Sequence, residues 1–310
     1  MNEALWSRQE FGGAKLGDPR RTDRLVAMGA TAASSPGGTI AGVFEDSAER
    51  EGAFRFVEND AVNASEITLS AATATALRVG AAPFVFVPID GSSLNIPDRD
   101  GHKRLGAVGT RKIQAQGLQV MTAIAVSDDD VPLGIAGQHF WARSKTVRNK
   151  AVKDKRTVDK KETVHWLTVM KQANDAFARH APQTRLWFQM DRGADAWPIL
   201  STANDGLHWL TVRATWDRRL KTPDEQQRYL WESMEKTALR GTYTLDVSPS
   251  NDNKKSARQA QMHVRAAAVV LELYCERVIS ALLGAGIFCQ GEVRRRVILS
   301  VWRGDAMKPW

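Results

Sequence analysis

The sequence predicts a mixed α/β protein, with an N-terminal helical domain, a mixed-sheet core and an incomplete β-rich addition. Three observations predict it. Residues 1 to about 70 read as a set of short helices. From residue 83 the texture changes to three strand-like segments followed by alternating helices and strands. Beyond Trp216, "RGTYTLDVS" and "HVRAAAVVLELY" suggest a further β-rich piece. A chain of 310 residues is long enough for a large core and two domains. Its 43% hydrophobic and 25% charged residues are ordinary for a soluble globular protein.

"LGDPRRTDRLVAMGATAASS" offers Asp18 as a helix N-cap and Pro19 at the first helical position, the favoured order for a helix start. Arg20, Arg21 and Arg24 then fall in the first two turns, with Leu25, Val26 and Met28 as apolar surface. "SSPGG" ends that helix, Phe44 to Val57 reads as a second, and Asn63 or Ser65 caps a third running toward Arg78. Arginines near one helix N-terminus fit a DNA-binding unit; they also fit any small helical bundle.

"FVFVPIDGSS", residues 84 to 93, is a near-continuous apolar run ending on a charge. Such a run reads as a strand buried on both faces. Asp90 is therefore expected at its C-terminal edge, where a Gly-Ser turn begins. "GLQVMTAIAVS" and "VPLGIAGQHFWAR" read as a strand pair joined by the acidic turn Asp128–Asp130. An amphipathic helix follows, with Val164, Leu167, Met170, Ala173 and Phe177 on one stripe. "TRLWFQMD" is a strand, "ADAWPILSTANDG" a short helix and "LHWLTVRAT" another strand. Three leading strands and then alternation is the order of a ribonuclease H-like core.

The formal charge of +8 favours polyanionic partners, nucleic acid first. Much of the excess lies between Arg143 and Lys161, where Lys145, Arg148, Lys150, Lys153, Lys155, Arg156 and Lys160 face only Asp154 and Asp159. Such a segment can replace counterions along a phosphate backbone. No signal peptide, membrane-length apolar run, amphipathic membrane helix or lipidation signal is present, so no membrane partner is expected. Cys275 and Cys289 make no metal-type pair and the six histidines have no ligand spacing. A reducing cytoplasm without zinc is the expectation. Walker A, G-x-G-x-x-G and G-x-S-x-G sequences are all missing.

"LWFQMDRGAD" repeats the pattern of the first strand, an apolar run entering Asp191. If Asp90 and Asp191 share one sheet edge their charges repel, and a divalent cation resolves the repulsion. Hard cations such as Mg²⁺ take oxygen ligands and keep positions open for phosphate oxygens. Two such metals can serve an in-line phosphoryl displacement. The local pattern leaves two readings open, a carboxylate–metal site or two unrelated strand-end acids.

These residues resemble the IS4-family (Tn5-like) cut-and-paste transposases. "LGDPRRTDRL" and "EGAFRFVEND" are similar to that family's DNA-end-binding domain. "IDGSSLNI" and "MDRGADAW" resemble the segments carrying its first two catalytic aspartates, matched by Asp90 and Asp191, and "HWLTVRAT" resembles the strand that follows. The resemblance covers residues 6 to about 275. It implies a helical transposon-end-binding domain over 1–70 and an RNase H-like catalytic core over 71–283, with a partial β-rich insertion from about 216. It also implies two divalent metals, Mg²⁺ or Mn²⁺, held by Asp90 and Asp191 as catalytic ligands. The expected DNA contacts are Arg20, Arg21 and Arg24, with Lys112, Arg143 and Arg213 as phosphate contacts near the site edge. The partners implied are double-stranded DNA at terminal repeats, target DNA, and a homodimer or an intact transposase, in a bacterial cytoplasm.

The family's third carboxylate lies in a Y-x₂-R-x₃-E-x₆-K signature on a late helix, and no counterpart is identified. Tyr274 and Arg277 keep the spacing, but Ala281 stands at the glutamate position, and Glu292 lacks the flanking residues. Residues 284–310 read as an aberrant, frameshifted tail. Two functions remain: a transposase performing metal-dependent DNA cleavage and strand transfer, or a catalytically incomplete DNA-binding remnant that regulates an intact transposase.

Overall fold

The computed structural model describes residues 2–98, 103–109, 115–143, 162–221, 228–249, 256–272 and 297–304, the last through the backbone alone. The chain divides into two compact units, Met1–Arg213 and Ala214–Trp310.

The first unit begins with five helices. α1 (Glu3–Phe11) starts at Asn2, whose side chain accepts from the Ala4 and Leu5 amides. α2 (Pro19–Ser34) starts as its sequence predicts, with the Asp18 carboxylate accepting from the Arg20 amide and Pro19 at the first position. α3 (Ile40–Val43) and α4 (Ser47–Val57) replace the single helix expected from Phe44. Asp46 accepts from the Ala48 and Glu49 amides, so the helix starts there. Phe44 stays extended (φ −104°, ψ 93°) and is buried. α5 (Ala64–Val79) is capped by Asn63, as expected, and stops at Gly80, whose φ of +64° suits a residue without a Cβ.

Ala14, Leu16, Leu25 and Phe56 form a small core among these helices. α5 then reaches a second, larger core through Ala72, Ala76 and Val79. Arg78 joins the two regions by donating to Glu10 of α1 and to the carbonyl of Leu133. Burial raises the Glu10 pKa, and the Arg78 guanidinium opposes that rise.

The sheet of the first unit contains β1 (Phe84–Asn95), β2 (Gly106–Ala107), β3 (Gln116–Val126), β4 (Pro132–Trp141), β5 (Arg185–Met190) and β6 (Trp209–Val212). Its order is β2-β3-β1-β5-β6, with β4 also paired to β3. β1 is antiparallel to β3 and parallel to β5, and β5 is parallel to β6. α6 (Thr163–His180) leads from β4 toward β5, and α7 (Trp197–Leu200) lies between β5 and β6. This is the mixed sheet the sequence predicts, with the two-residue β2 added. α6 buries Trp166, Val169, Met170, Ala173, Ala176 and Phe177. The expected stripe is thus rotated, and Val164 and Leu167 lie at its half-buried margin.

The reading of β1 as buried on both faces is corrected. Val85, Val87 and Ile89 lie in the core shared with α5 and α6. Phe84, Phe86 and Pro88, on the opposite face, are only half buried. Among the described residues of this unit, no helix contributes to that second face a counterpart of the α5 and α6 core.

The second unit is β-rich, as expected. α8 (Leu230–Lys236) precedes β7 (Leu239–Val247), β8 (Arg258–Val269) and β9 (Val297–Gly304), an antiparallel sheet in the order β7-β8-β9. β9 falls within the segment read as an aberrant tail and pairs with β8 from Val269↔Val297 to Met262↔Gly304.

Candidate functional site

β1 and β5 run parallel in an unbroken register from Phe84↔Arg185 to Ile89↔Met190. The next residue on each strand is an aspartate, Asp90 and Asp191. Adjacent strands lie about 4.8 Å apart, so the register delivers the two exposed acids to neighbouring positions. The expectation that Asp90 ends its strand at a Gly-Ser turn is corrected. β1 continues to Asn95 because β3 remains its partner from Asp90↔Thr122 to Asn95↔Gly117. β5 is the strand that stops. Asp90 thus marks the point where β1 loses its parallel neighbour and keeps its antiparallel one.

Local backbone geometry holds each carboxylate. The Gly91 amide donates to Asp90 Oδ1 at 2.7 Å, and the Gly193 amide donates to Asp191 Oδ1 at 2.7 Å. Asp191 thereby caps the short 3-10 turn Arg192–Ala194. Gly193 matters for a steric reason as well: a Cβ there would lie 2.9 Å from Asp191 Oδ1 and 3.3 Å from Trp166. Sequence reasoning missed this glycine, although its D-x-G spacing was visible.

The two acids line a cleft of about 310 Å³ together with Gln119, Trp141, Arg143 and Glu162. Arg143, expected here as a phosphate contact, is engaged with Glu162. Its Nε donates to Oε1 at 2.5 Å and its Nη2 to Oε2 at 2.8 Å. Glu162 was also missed, because it is nineteen residues away in sequence with no periodicity linking it to Arg143. Glu162 stands at the N-cap of α6, where its side chain makes no capping bond.

The inner wall of the cleft is polar but incompletely paired. Gln119 is 5% exposed, and its Oε1 accepts from Ser93 Oγ at 2.9 Å. Gln119 Nε2 and Trp141 Nε1 are buried without a hydrogen-bond partner. Trp141 stacks on His165 with centroids 3.8 Å apart. Burial lowers the His165 pKa to about 4, and neighbouring His139 pushes in the same direction. The imidazole stacked on Trp141 is therefore neutral at neutral pH.

The other expected contacts are dispersed. Arg213 is exposed, and its amide donates to the Met190 carbonyl at 3.1 Å, one residue before Asp191. Arg20 is exposed and paired with Asp18 at 2.8 Å, and its guanidinium holds the Asp18 pKa down at about 2. Arg21 is half buried and donates to the Leu16 carbonyl at 2.8 Å, a bond that closes the turn before α2. Arg24 is exposed against Gly52 of α4, where a Cβ would come within 3.0 Å of its guanidinium carbon. Lys112, the cationic segment beyond Arg143, and Tyr274, Arg277, Ala281 and Glu292 lie outside the described residues.

The donor chemistry at the sheet edge fits a hard divalent cation, since two carboxylates each keep an Oδ2 beyond the bond to their own backbone. Among the described residues, no three His, Cys, Asp or Glu side chains converge as a metal-binding group. Among those residues, no helix is long and apolar enough to cross a membrane.

Residues 3–62 match the family model for the transposase DNA-binding domain. The matched segment spans α1 to α4, including Arg20, Arg21 and Arg24. It supports a transposase that binds DNA.

Proposed function

We propose that this chain is an IS4-family, Tn5-like transposase that recognises transposon ends through its N-terminal helices. Its DNA-processing edge is built on Asp90 and Asp191 of an RNase H-like core. The observation that carries the reading is the parallel register ending at Ile89↔Met190, which precedes both acids by one residue. The match over residues 3–62 supports the DNA-binding half independently. Arg20 and Arg24, both exposed, contact the terminal repeat, while Arg21 supports the turn that presents them.

Asp90 and Asp191 would hold Mg²⁺ or Mn²⁺ through oxygens not committed to the Gly91 and Gly193 amides. The chemistry such a group would supply there is Lewis-acid activation of an attacking oxygen and stabilisation of developing charge in phosphodiester cleavage. Arg213, adjacent to the end of β5, supplies positive charge to the DNA backbone. The functional partners are terminal-repeat DNA, target DNA and a second transposase subunit.

A second reading is favoured by the sequence, in which Ala281 stands where the resemblance expects the third acid. The chain then binds terminal repeats without completing transposition and competes with an intact transposase. The deciding experiment incubates purified protein with terminal-repeat DNA and Mg²⁺ or Mn²⁺. Double-strand cleavage that disappears in Asp191→Ala supports the active transposase. Binding without cleavage supports the regulatory form, and loss of neither DNA binding nor salt sensitivity in Arg20→Ala/Arg24→Ala contradicts the DNA-end assignment.

A further inference from the structure

The Arg143–Glu162 pair has the two-pronged geometry in which a guanidinium also grips a phosphate. It lies in the cleft that Asp90 and Asp191 line. Gln119 and Trp141 line the same cleft, and each keeps a buried donor without a hydrogen-bond partner, Gln119 Nε2 and Trp141 Nε1. Buried donors are nearly always paired. The Ser93 hydroxyl engages Gln119 Oε1, so the unsatisfied group of that side chain is its Nε2 donor. An acceptor-rich anion satisfies this set; a cation or a neutral donor does not.

We propose that Arg143, Gln119 and Trp141 form a phosphate subsite for a DNA phosphodiester, and that Glu162 occupies Arg143 as an internal phosphate surrogate until DNA arrives. The proposal rests on the DNA-processing reading of the cleft. The two occupants use the same fork, so an entering phosphate exchanges for the carboxylate without leaving Arg143 unpaired. Both side chains are partly exposed, at 40% for Arg143 and 56% for Glu162. Partly exposed pairs are readily exchanged. The released carboxylate remains at the N-terminus of the eighteen-residue α6, where the helix dipole favours negative charge. While Glu162 neutralises Arg143, the two aspartates leave the cleft net negative, which opposes phosphate, and removing the Glu162 charge relieves that opposition. Gly106 lets the Arg143 backbone pass closely, since a Cβ there would meet the Arg143 nitrogen and oxygen at 2.3 Å.

The test follows the Trp141 indole N–H resonance of the full chain, assigned with Trp141→Phe, in metal-free buffer. Inorganic phosphate and a 5′-phosphorylated thymidine dinucleotide are the probes. The dinucleotide is expected to shift this resonance downfield and to bind more tightly than phosphate. Glu162→Gln should tighten binding about tenfold, equivalent to about 1.4 kcal/mol. Glu162→Ala should do the same, and adding Arg143→Met to Glu162→Gln should abolish the gain. An unmoved Trp141 resonance, or equal affinity in the wild type and both Glu162 variants, overturns the subsite. A dinucleotide that binds no better than inorganic phosphate overturns its assignment to DNA. Terminal-repeat binding through Arg20 and Arg24 is measured separately. If it persists while the Glu162 variants are silent, the subsite fails and the DNA-binding reading stands. If it is absent too, the reading on which the subsite rests fails with it.

Discussion

The two faces of the first unit's sheet both carry large apolar residues and have different fates. On one face, Val85, Val87, Ile89, Leu186, Phe188 and Met190 are all buried in a single core with α5 and α6. On the other, Phe84, Phe86, Trp187 and Trp209 pack chiefly on one another, with ring centroids 5.2 to 6.0 Å apart. Trp209, Ile124 and Phe140 remain 42%, 40% and 39% exposed. A strand's apolar run thus records what both faces are made of, and leaves open what covers each. Asp90 continues the Phe84–Phe86–Pro88 alternation, so it lies at the end of the less covered face. Contiguous exposed apolar surface of this kind is an association liability.

The sharpest way to break the comparison is a matched pair of substitutions. Phe188→Ala opens a cavity in the closed core and should cost about 3–5 kcal/mol in urea unfolding. Trp209→Ala should cost about 1 kcal/mol, because much of its ring is already in contact with water, and should reduce association. Equal costs would mean that the second face is covered in solution as well as the first.

Gly193→Ala is the next largest change. Its Cβ meets both Asp191 and Trp166, so crowding of about 1–3 kcal/mol is expected. The loss should be smaller in the double variant with Trp166→Leu, measured by a thermodynamic cycle.

A pH series probes the histidine stacked on Trp141. The folded His165 pKa of about 4 lies below its ordinary 6.5. The unfolded chain therefore takes up a proton first as pH falls. Stability from this group is fully present above pH 6.5, declines between 6.5 and 4, and levels off below. His139 is shifted the same way by burial. His165→Phe should flatten the fall in unfolding midpoint across that window; an unchanged slope would show that another group carries it.

Arg20→Ala should produce the smallest stability effect, because the side chain is fully solvated. Its consequence should be functional: a salt dependence of terminal-repeat binding shallower by about one unit per lost phosphate contact.

Local signals were legible where one residue's chemistry decides the outcome. Asp18 with Pro19, and Asn63, predicted their helix starts because a cap acts within three residues. That Asp90 and Asp191 each follow an apolar strand run was legible, though the parallel register that brings those runs side by side required the fold. Three features were not legible. β1 runs past Gly91 because β3 is long enough to hold it, a property of the partner strand. Phe44 leaves its helix because Asp46 offers a better start. Glu162 meets Arg143 only through the return of the chain into α6.

The central claim is that Asp90 and Asp191 together make a divalent-cation site. Its most direct test is Mn²⁺ binding to the purified full chain, followed by electron paramagnetic resonance of free Mn²⁺ during titration. The account predicts weak binding that disappears in both Asp90→Asn and Asp191→Asn and survives in Glu162→Gln. Undiminished Mn²⁺ binding in either aspartate variant, with its fold intact by circular dichroism, would contradict it.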